Sequence, residues 1–151
     1  MADDAATVRS FPLFKGMAKD DWTLLSHRIK TNVVLPNQTV YRVGDKLSVI
    51  NMVIAGGVRI FITDRYGIKF TISDVAPGEF FGELPGSIDT ICTSSAVALQ
   101  QSQILVMDRE FLNDVFSKNP DAIFPMLAAL EGHLRRAQSL LRNTKLSTQH
   151  S

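Results

Sequence analysis

The sequence predicts a mainly β fold with flanking helices (α+β): an eight-stranded jelly-roll β-barrel with an N-terminal helix and C-terminal lid helices. Short β-rich runs separated by turn residues fill positions 32–107, and apolar residues at helical spacing lie before and after them. The length of 151 residues suits one domain. We expect one domain over 1–151, divided into a ragged start (1–10), an N-terminal helical part (11–31), the β-barrel (32–107), C-terminal helices (108–143) and a tail (144–151).

The β region contains eight short runs rich in β-branched and aromatic residues. Turn signals such as Gly44-Asp45, Gly56-Gly57 and Pro77-Gly78 separate them at near-regular spacing. Many short strands at even spacing are typical of a sandwich or barrel of jelly-roll type. The predicted strands are 33–35, 39–43, 49–54, 58–63, 69–75, 79–81, 95–99 and 104–107.

Three helices are predicted outside the barrel. The first covers 19–30, where Trp22, Leu25 and Ile29 recur at helical spacing. Asp108 is a good N-cap for a second helix over 109–117. The sequence Asn119-Pro-Asp121 then ends the second helix and starts a third helix over 121–143.

The last helix carries an apolar stripe that steps by three and four residues, as in a coiled-coil seam of two heptads. Two interpretations of the stripe stay open: it packs on the barrel, or it joins two copies of the chain in a homodimer. Its members are Leu127, Leu130, Leu134, Ala137 and Leu141.

Composition excludes several classes of protein. The formal net charge of +1 argues against a nucleic-acid binder that relies on bulk electrostatics. The single cysteine, Cys92, excludes an internal disulfide, and it is interpreted as a small half-buried hydrophobe. The acidic N-terminus is no signal peptide, and no apolar run approaches the roughly 18 residues of a membrane span. We therefore expect a soluble cytoplasmic protein without membrane contact.

Catalysis is not expected. The histidines are His27, His133 and His150, and they are scattered over helix and tail. No metal-ligand spacing and no pairing of a nucleophile with a base is present in the sequence. We predict neither catalytic residues nor a metal site.

The sequence resembles the cyclic-nucleotide-binding domains in the order of its elements. A helix comes first, followed by jelly-roll strands with a Gly-Asp turn, then a Gly-Glu turn and the last helices. The resemblance covers nearly the whole chain and is closest to the catabolite-activator type, without a gap from Gly56 to Leu84. The order and spacing of the motifs carry it, since no single motif is specific. They are Pro12-Leu-Phe14, Val43-Gly-Asp45, Val53-Ile-Ala-Gly56 with Val58, Pro77-Gly-Glu-Phe-Phe-Gly-Glu-Leu84 and Asp108-Arg-Glu-Phe111.

The resemblance implies a cyclic-nucleotide site between the barrel and the last helix. Glu83 would accept a hydrogen bond from the ribose 2′-hydroxyl, and Gly82 would let the backbone approach the ligand. Hydroxyls at Thr93 and Ser94 would face the phosphate. Ile60, Ile72 and Ser73 would line base and sugar, Phe81 and Leu84 would wall the phosphate-binding cassette, and the last helix would close over the base with His133, Ala137 and Gln138 as candidate contacts.

The cassette departs from the family pattern in its charge. Where the family has an arginine this sequence has Thr93, while Pro85 removes a backbone donor and Asp89 adds a negative charge. Losing a buried bond to a charged group weakens binding by roughly one to two decades. Arg59 should point away from the pocket, opposite to Ile60, which leaves Arg135 or Arg136 of the last helix as the cation that could reach in.

The resulting hypothesis is a stand-alone sensor that binds a cyclic nucleotide (cAMP or cGMP, or a cyclic dinucleotide) and signals by conformational change to a homodimer or a protein partner. The alternative is a degenerate module that binds no ligand and acts in protein interaction or dimerisation. A DNA-binding regulator is not expected, because only about eight residues follow the last predicted helix. Met1 and the polar tail are interpreted as the two ends of a complete chain.

Overall fold

The computed structural model describes residues 2–47, 49–82 and 91–149, and within these ranges it contains all eight predicted strands. Two helices precede the strands, and a short 3-10 turn separates the two helices that follow them. The elements are α1 (Ala2–Ser10), α2 (Lys19–Ser26), β1 (Lys30–Val34), β2 (Thr39–Tyr41), β3 (Val49–Ala55), β4 (Val58–Thr63), β5 (Lys69–Val75), β6 (Phe80–Gly82), β7 (Ser95–Ala98), β8 (Ser102–Asp108), α3 (Arg109–Lys118), the 3-10 turn Pro120–Ala122 and α4 (Ile123–Gln149).

The strands form two four-stranded antiparallel sheets with the orders β1-β8-β3-β6 and β2-β7-β4-β5. Strand β3 of the first sheet is covered on both faces. Along β3, Ile50 and Met52 contribute to a core shared with the helices, whereas Val53 contributes to an inner core between the two sheets. The predicted fold class, a β jelly roll with helices at both ends, is confirmed.

The helical core joins the two ends of the chain. Phe14 packs edge-on against Trp22 with a centroid distance of 5.3 Å and lies 6.2 Å from the ring of Phe111. The side-chain amide of Asn119 donates to the carbonyl oxygens of Leu13 (3.1 Å) and Lys15 (3.3 Å). The connection between α3 and α4 is therefore held by hydrogen bonds to the segment that follows α1.

The N-terminal part differs from its prediction in two ways. Residues 2–10, expected as a ragged start, form α1, because Val8 is buried in the helical core and fixes the segment against it. The helix predicted over 19–30 ends at Ser26, because the chain must extend by Lys30 to pair with β8. Ile29, expected on that helix, packs against the helical core from the connection.

The C-terminal helices agree better with expectation. Asp108 caps α3 by accepting a hydrogen bond from the backbone N–H of Phe111 at 2.8 Å, as predicted. The last helix continues to Gln149, so the predicted tail over 144–149 is wrong: it is helical. No helix within the described ranges, α4 included, combines the length and the apolar character that a membrane crossing needs.

The apolar stripe of α4 divides into two faces. Leu130 packs against the helical core, whereas Leu127, Leu134 and Leu141 are 52%, 58% and 62% exposed. Ala137 belongs to the same stripe, but its side chain lies outside the described part. Packing on the barrel therefore accounts for Leu130 and not for the three exposed leucines.

Candidate ligand-binding site

A row of buried side chains crosses the inner face of the second sheet. Tyr41 of β2 is in register with Ala96 of β7, Ala96 with Ile60 of β4, and Ile60 with Ser73 of β5. All four are buried. Because neighbouring strands lie about 4.8 Å apart, the row is about 14 Å long. It forms an apolar floor with a serine hydroxyl at its far end.

A β-bulge in β5 shapes that far end. Ile60 pairs with Ser73 and Phe61 with Thr71, so Ile72 is the extra residue of the bulge. Ile72 packs against the inner core and Ser73 beside it is 6% exposed. In a regular strand two successive side chains would lie on opposite faces. The bulge thus places the methyl groups of Ile72 and the hydroxyl of Ser73 on the same side of the sheet.

The near end of the row is covered from the first sheet. The ring of Phe81 stacks on that of Tyr41 with a centroid distance of 6.1 Å and an interplanar angle of 19°. Gly82 follows with φ +107°, and a Cβ there would lie 3.2 Å from the side-chain nitrogen of Asn51. Both the backbone conformation and the space around it require glycine at this position.

The Gly44-Asp45 turn positions the hydroxyl residues that precede β7. Gly44 has φ +91° and its N–H donates to the carbonyl of Cys92 at 2.8 Å, while the N–H of Cys92 donates to the carbonyl of Asp45 at 2.9 Å. The hydroxyl of Ser95 accepts from the N–H of Val43 at 3.0 Å. This turn holds the segment 92–95 beside the near end of the row.

A cation from α4 reaches the far end of the row. A terminal guanidinium nitrogen of Arg136 donates to the hydroxyl of Ser73 across 63 positions of sequence. No described carboxylate pairs with Arg136, whereas its neighbour Arg135 forms an ion pair with Glu131 on α4 itself. Of the two arginines Arg135 and Arg136, Arg136 is the one that contacts the barrel.

Arg59 is committed to the opposite face of the sheet, as expected. Its guanidinium donates twice to the carboxylate of Asp74, at 2.8 and 3.0 Å. The hydrogen bonds from Arg59 lower the pKa of Asp74 below the usual range of an aspartate. The pair lies outside the row and supplies no charge to it.

The predicted site residues fall into two groups. The structure brings Ile60, Ile72, Ser73 and Phe81 to the inner row, with Gly82 at its near end. Before β7, Thr93 is exposed and Ser94 is half-buried. On α4, Gln138 is exposed. Their roles toward a ligand stay predictions. Outside the described residues lie Glu83, Leu84, Pro85 and Asp89, together with the side chains of His133 and Ala137.

Two residues of the row, Tyr41 and Ala96, were absent from the predicted site. Each is flanked by less buried side chains, which signals that it faces inward, but only the strand order β2-β7-β4-β5 places the two residues beside Ile60. Sequence could have found them as inward-facing residues and not as neighbours of the site.

Two cavities lined by described residues lie elsewhere. One of about 350 Å³ is bordered by Arg28, Lys30 and Asp108 near the start of α3. The other, of about 280 Å³, is bordered by Gln38 and the buried Asn51. Neither is lined by a described residue of the predicted site, and no group of three His, Cys, Asp or Glu side chains suited to a metal ion occurs within the described ranges.

Comparison with known proteins gives the same architecture. Residues 31–119 match the family model of the cyclic nucleotide-binding domain. The chain is 27% identical over 130 residues to a cyclic AMP receptor protein of Thermus thermophilus, covering 86% of this chain and 60% of that protein. The chain thus spans less than two thirds of the length of the curated relative it matches.

Solved structures agree with this match. The crystal structure of the Thermus thermophilus catabolite activator protein superposes with a TM-score of 0.70 at 27% identity, covering 89% of this chain and 63% of that one. The sensor domain of the transcriptional regulator DNR from Pseudomonas aeruginosa shares the fold alone, with a TM-score of 0.70 at 18% identity over 92% and 95% of the two chains. With more than half of its residues matched by the family model, this chain belongs to the cyclic nucleotide-binding domain family.

Proposed function

We propose that the chain is a regulatory sensor module that binds a cyclic nucleotide between the inner row of the barrel and α4. The observation that carries the proposal is the hydrogen bond from Arg136 of α4 to the buried Ser73 of β5, because it links the last helix to the far end of the row. Membership of the family and the cyclic AMP receptor protein among its relatives support a cyclic nucleotide as the ligand.

The two ends of the row have different chemistry. At the near end, Gly82 and the hydroxyls of Thr93 and Ser94 would receive the ribose and the phosphate, with Glu83 accepting from the sugar 2′-hydroxyl. A hydrogen bond to a charged group is worth roughly 1.5–3 kcal/mol. The apolar floor formed by residues such as Ile60 would hold the base. The candidate ligands are cAMP, cGMP and a cyclic dinucleotide.

Binding would be transmitted through α4, because one face of this helix contacts the barrel and the opposite face is exposed. Leu134 and Arg136 are two residues apart, which is about 200° around an α-helix. Arg136 contacts the barrel while Leu134 is exposed. A ligand that binds the closed position of α4 more tightly than the open one shifts the population toward it. Each such shift moves the exposed leucine face.

We propose a second copy of the chain as the occupant of that face. The three exposed leucines, Leu127, Leu134 and Leu141, recur every seven residues, which is the spacing that keeps a seam between two supercoiled helices. Beside these leucines, Arg135 and Glu131 pair with each other on α4.

Calorimetric titration with cAMP, cGMP and cyclic di-GMP tests ligand binding. We expect a saturable heat for one of them with the native chain, at a weak affinity because Thr93 replaces a cation. The variant Thr93→Arg restores a charged donor at the near end and should tighten binding by about 10-fold or more.

The matched control is Thr63→Arg, which adds the same charge at an exposed position at the end of β4. It should leave the affinity unchanged at physiological salt, since exposed charges far from the ligand are screened. No heat at millimolar ligand with either the native chain or Thr93→Arg would contradict the proposal and favour a module that works by protein interaction alone.

A further inference from the structure

The choice between adenine and guanine depends on what stands at the far end of the row. The near end is identified by Phe81 and Gly82 above Tyr41, and Thr93 and Ser94 precede β7, which is two strands away from β5. The two strand intervals from β7 to β5 span about 10 Å, and the whole row from Tyr41 to Ser73 spans about 14 Å. A cyclic nucleotide whose ribose phosphate occupies the near end therefore presents its base to Ser73 and Arg136.

The guanidinium at that end is a pure donor. Arginine has five N–H donors in a planar fork and no acceptor, and Ser73 takes a hydrogen bond from one terminal nitrogen. The hydroxyl is neutral, and no described carboxylate neutralises Arg136. The remaining N–H groups of Arg136 are thus available to acceptor atoms of a base lying against Ser73.

Guanine and adenine differ in the edge that such a fork would meet. Guanine presents two acceptors, O6 and N7, which arginine contacts with both arms of its fork. Adenine presents the acceptor N7 beside the donor N6, and that donor would face an N–H of the guanidinium. An amide side chain offers an N–H donor beside a carbonyl acceptor and is the partner that suits adenine.

We infer that Arg136 reads the base of the ligand and selects guanine over adenine, so that the site prefers cGMP or another guanine-containing cyclic nucleotide to cAMP. The inference rests on the proposed function, since it takes a cyclic nucleotide in the row as given. It assigns to Arg136 a role at the base, and it leaves the phosphate end without a cation. Closure of α4 and recognition of the base are then the same event.

The test compares affinities of cGMP, cAMP, cyclic IMP and cyclic di-GMP for the native chain and for Arg136→Gln. We expect the native chain to bind cGMP about 10-fold or more tightly than cAMP, since a good bidentate pair discriminates bases by that order. Cyclic IMP should bind like cGMP, because hypoxanthine keeps O6 and N7. Arg136→Gln should lose most of its affinity for cGMP and gain affinity for cAMP.

Arg135→Gln is the matched control, since Arg135 neighbours Arg136 but pairs with Glu131 on the helix surface. It should leave the ratio of the two affinities unchanged. Binding of cyclic di-GMP without cGMP would show that the guanine comes from a dinucleotide, and loss of that binding in Arg136→Gln would still support the assignment.

Each remaining outcome separates the two proposals. A native preference for cAMP, or an Arg136→Gln variant with an unchanged ratio, overturns the base assignment and leaves ligand binding intact. An equal loss of cGMP and cAMP in that variant overturns it too, because the arginine would then meet the phosphate that both share. Absence of any binding overturns the proposed function together with the inference.

Discussion

The substitution Gly56→Ala is expected to destabilise the chain more than the same change at any other glycine that the structure describes. Gly56 joins β3 to β4 with φ +93°, in the left-handed region that costs a residue with a Cβ about 1–2 kcal/mol. The new Cβ would lie 2.3 Å from the hydroxyl oxygen of Ser102, 2.6 Å from the carbonyl oxygen of Gln101 and 2.8 Å from the Cα of Ser102. Two of these are backbone atoms and cannot rotate away.

The contacts that Gly56→Ala would disturb hold the turn together. The hydroxyl of Ser102 accepts from the N–H of Gly57 at 3.0 Å and lies 2.8 Å from the carbonyl oxygen of Gln100. Overpacking costs a further 1–3 kcal/mol. We expect a loss of about 3 kcal/mol or more in the free energy of unfolding, seen as a fall of about 10 °C in Tm.

Gly67→Ala is the matched control for this experiment. Gly67 has φ +84°, but a Cβ there meets nothing within 4 Å. Its cost is therefore the backbone strain alone, about 1–2 kcal/mol and a few degrees of Tm. Thermal unfolding followed by circular dichroism measures both variants. Equal losses would contradict the close approach of Gly56 to Ser102.

The second large effect is expected from Leu134→Glu at the centre of the exposed leucine face. If two copies pair along α4, Leu134 is buried between Leu127 and Leu141 of both chains. Replacement puts two carboxylates into an apolar seam, and burying an unpaired charge costs several kcal/mol. The dimer should weaken by at least 100-fold, so that light scattering finds a monomer at micromolar concentration.

Leu24→Glu is the control for Leu134→Glu. Leu24 is 68% exposed, but it lies on α2 and outside the stripe. This variant should stay a dimer, and both should keep the helix content of the native chain because both side chains are exposed. A native chain that is monomeric at high micromolar concentration, or a dimeric Leu134→Glu, would contradict the proposed pairing.

The strands were predictable because each obeys a local rule. Along β7 buried and half-buried side chains alternate, and turn residues with positive φ such as Gly44 and Gly78 lie between strands. The capping of α3 by Asp108 is equally local. These features depend on residues close in sequence, and sequence reasoning finds them.

What escaped prediction depends on distant contacts. The helix α1 is fixed by Val8 in a core made by residues far along the chain. The end of α2 is set by the pairing of β1 with β8, about 70 positions away. The bulge that turns Ser73 inward is invisible in a pattern that merely alternates.

The candidate site shows the same division. The family resemblance indicated Ile60, Ile72, Ser73, Phe81 and Gly82. The structure places the first three on β4 and β5 at the row and the last two on β6 at its near end. The sequence left Arg135 and Arg136 as equal candidates for a cation that reaches the site. The structure distinguishes them, because Arg136 contacts Ser73 at the far end of the row and Arg135 pairs with Glu131 on α4.

The proposed binding mode places a cyclic nucleotide between the inner row and α4. A crystal structure of the chain grown with saturating cGMP tests it most directly. We expect ligand density over Ile60, with the ribose phosphate toward Gly82 and the base between Ser73 and Arg136. Density confined to the cavity beside Gln38 and Asn51, or a ligand without contact to α4, would contradict the claim.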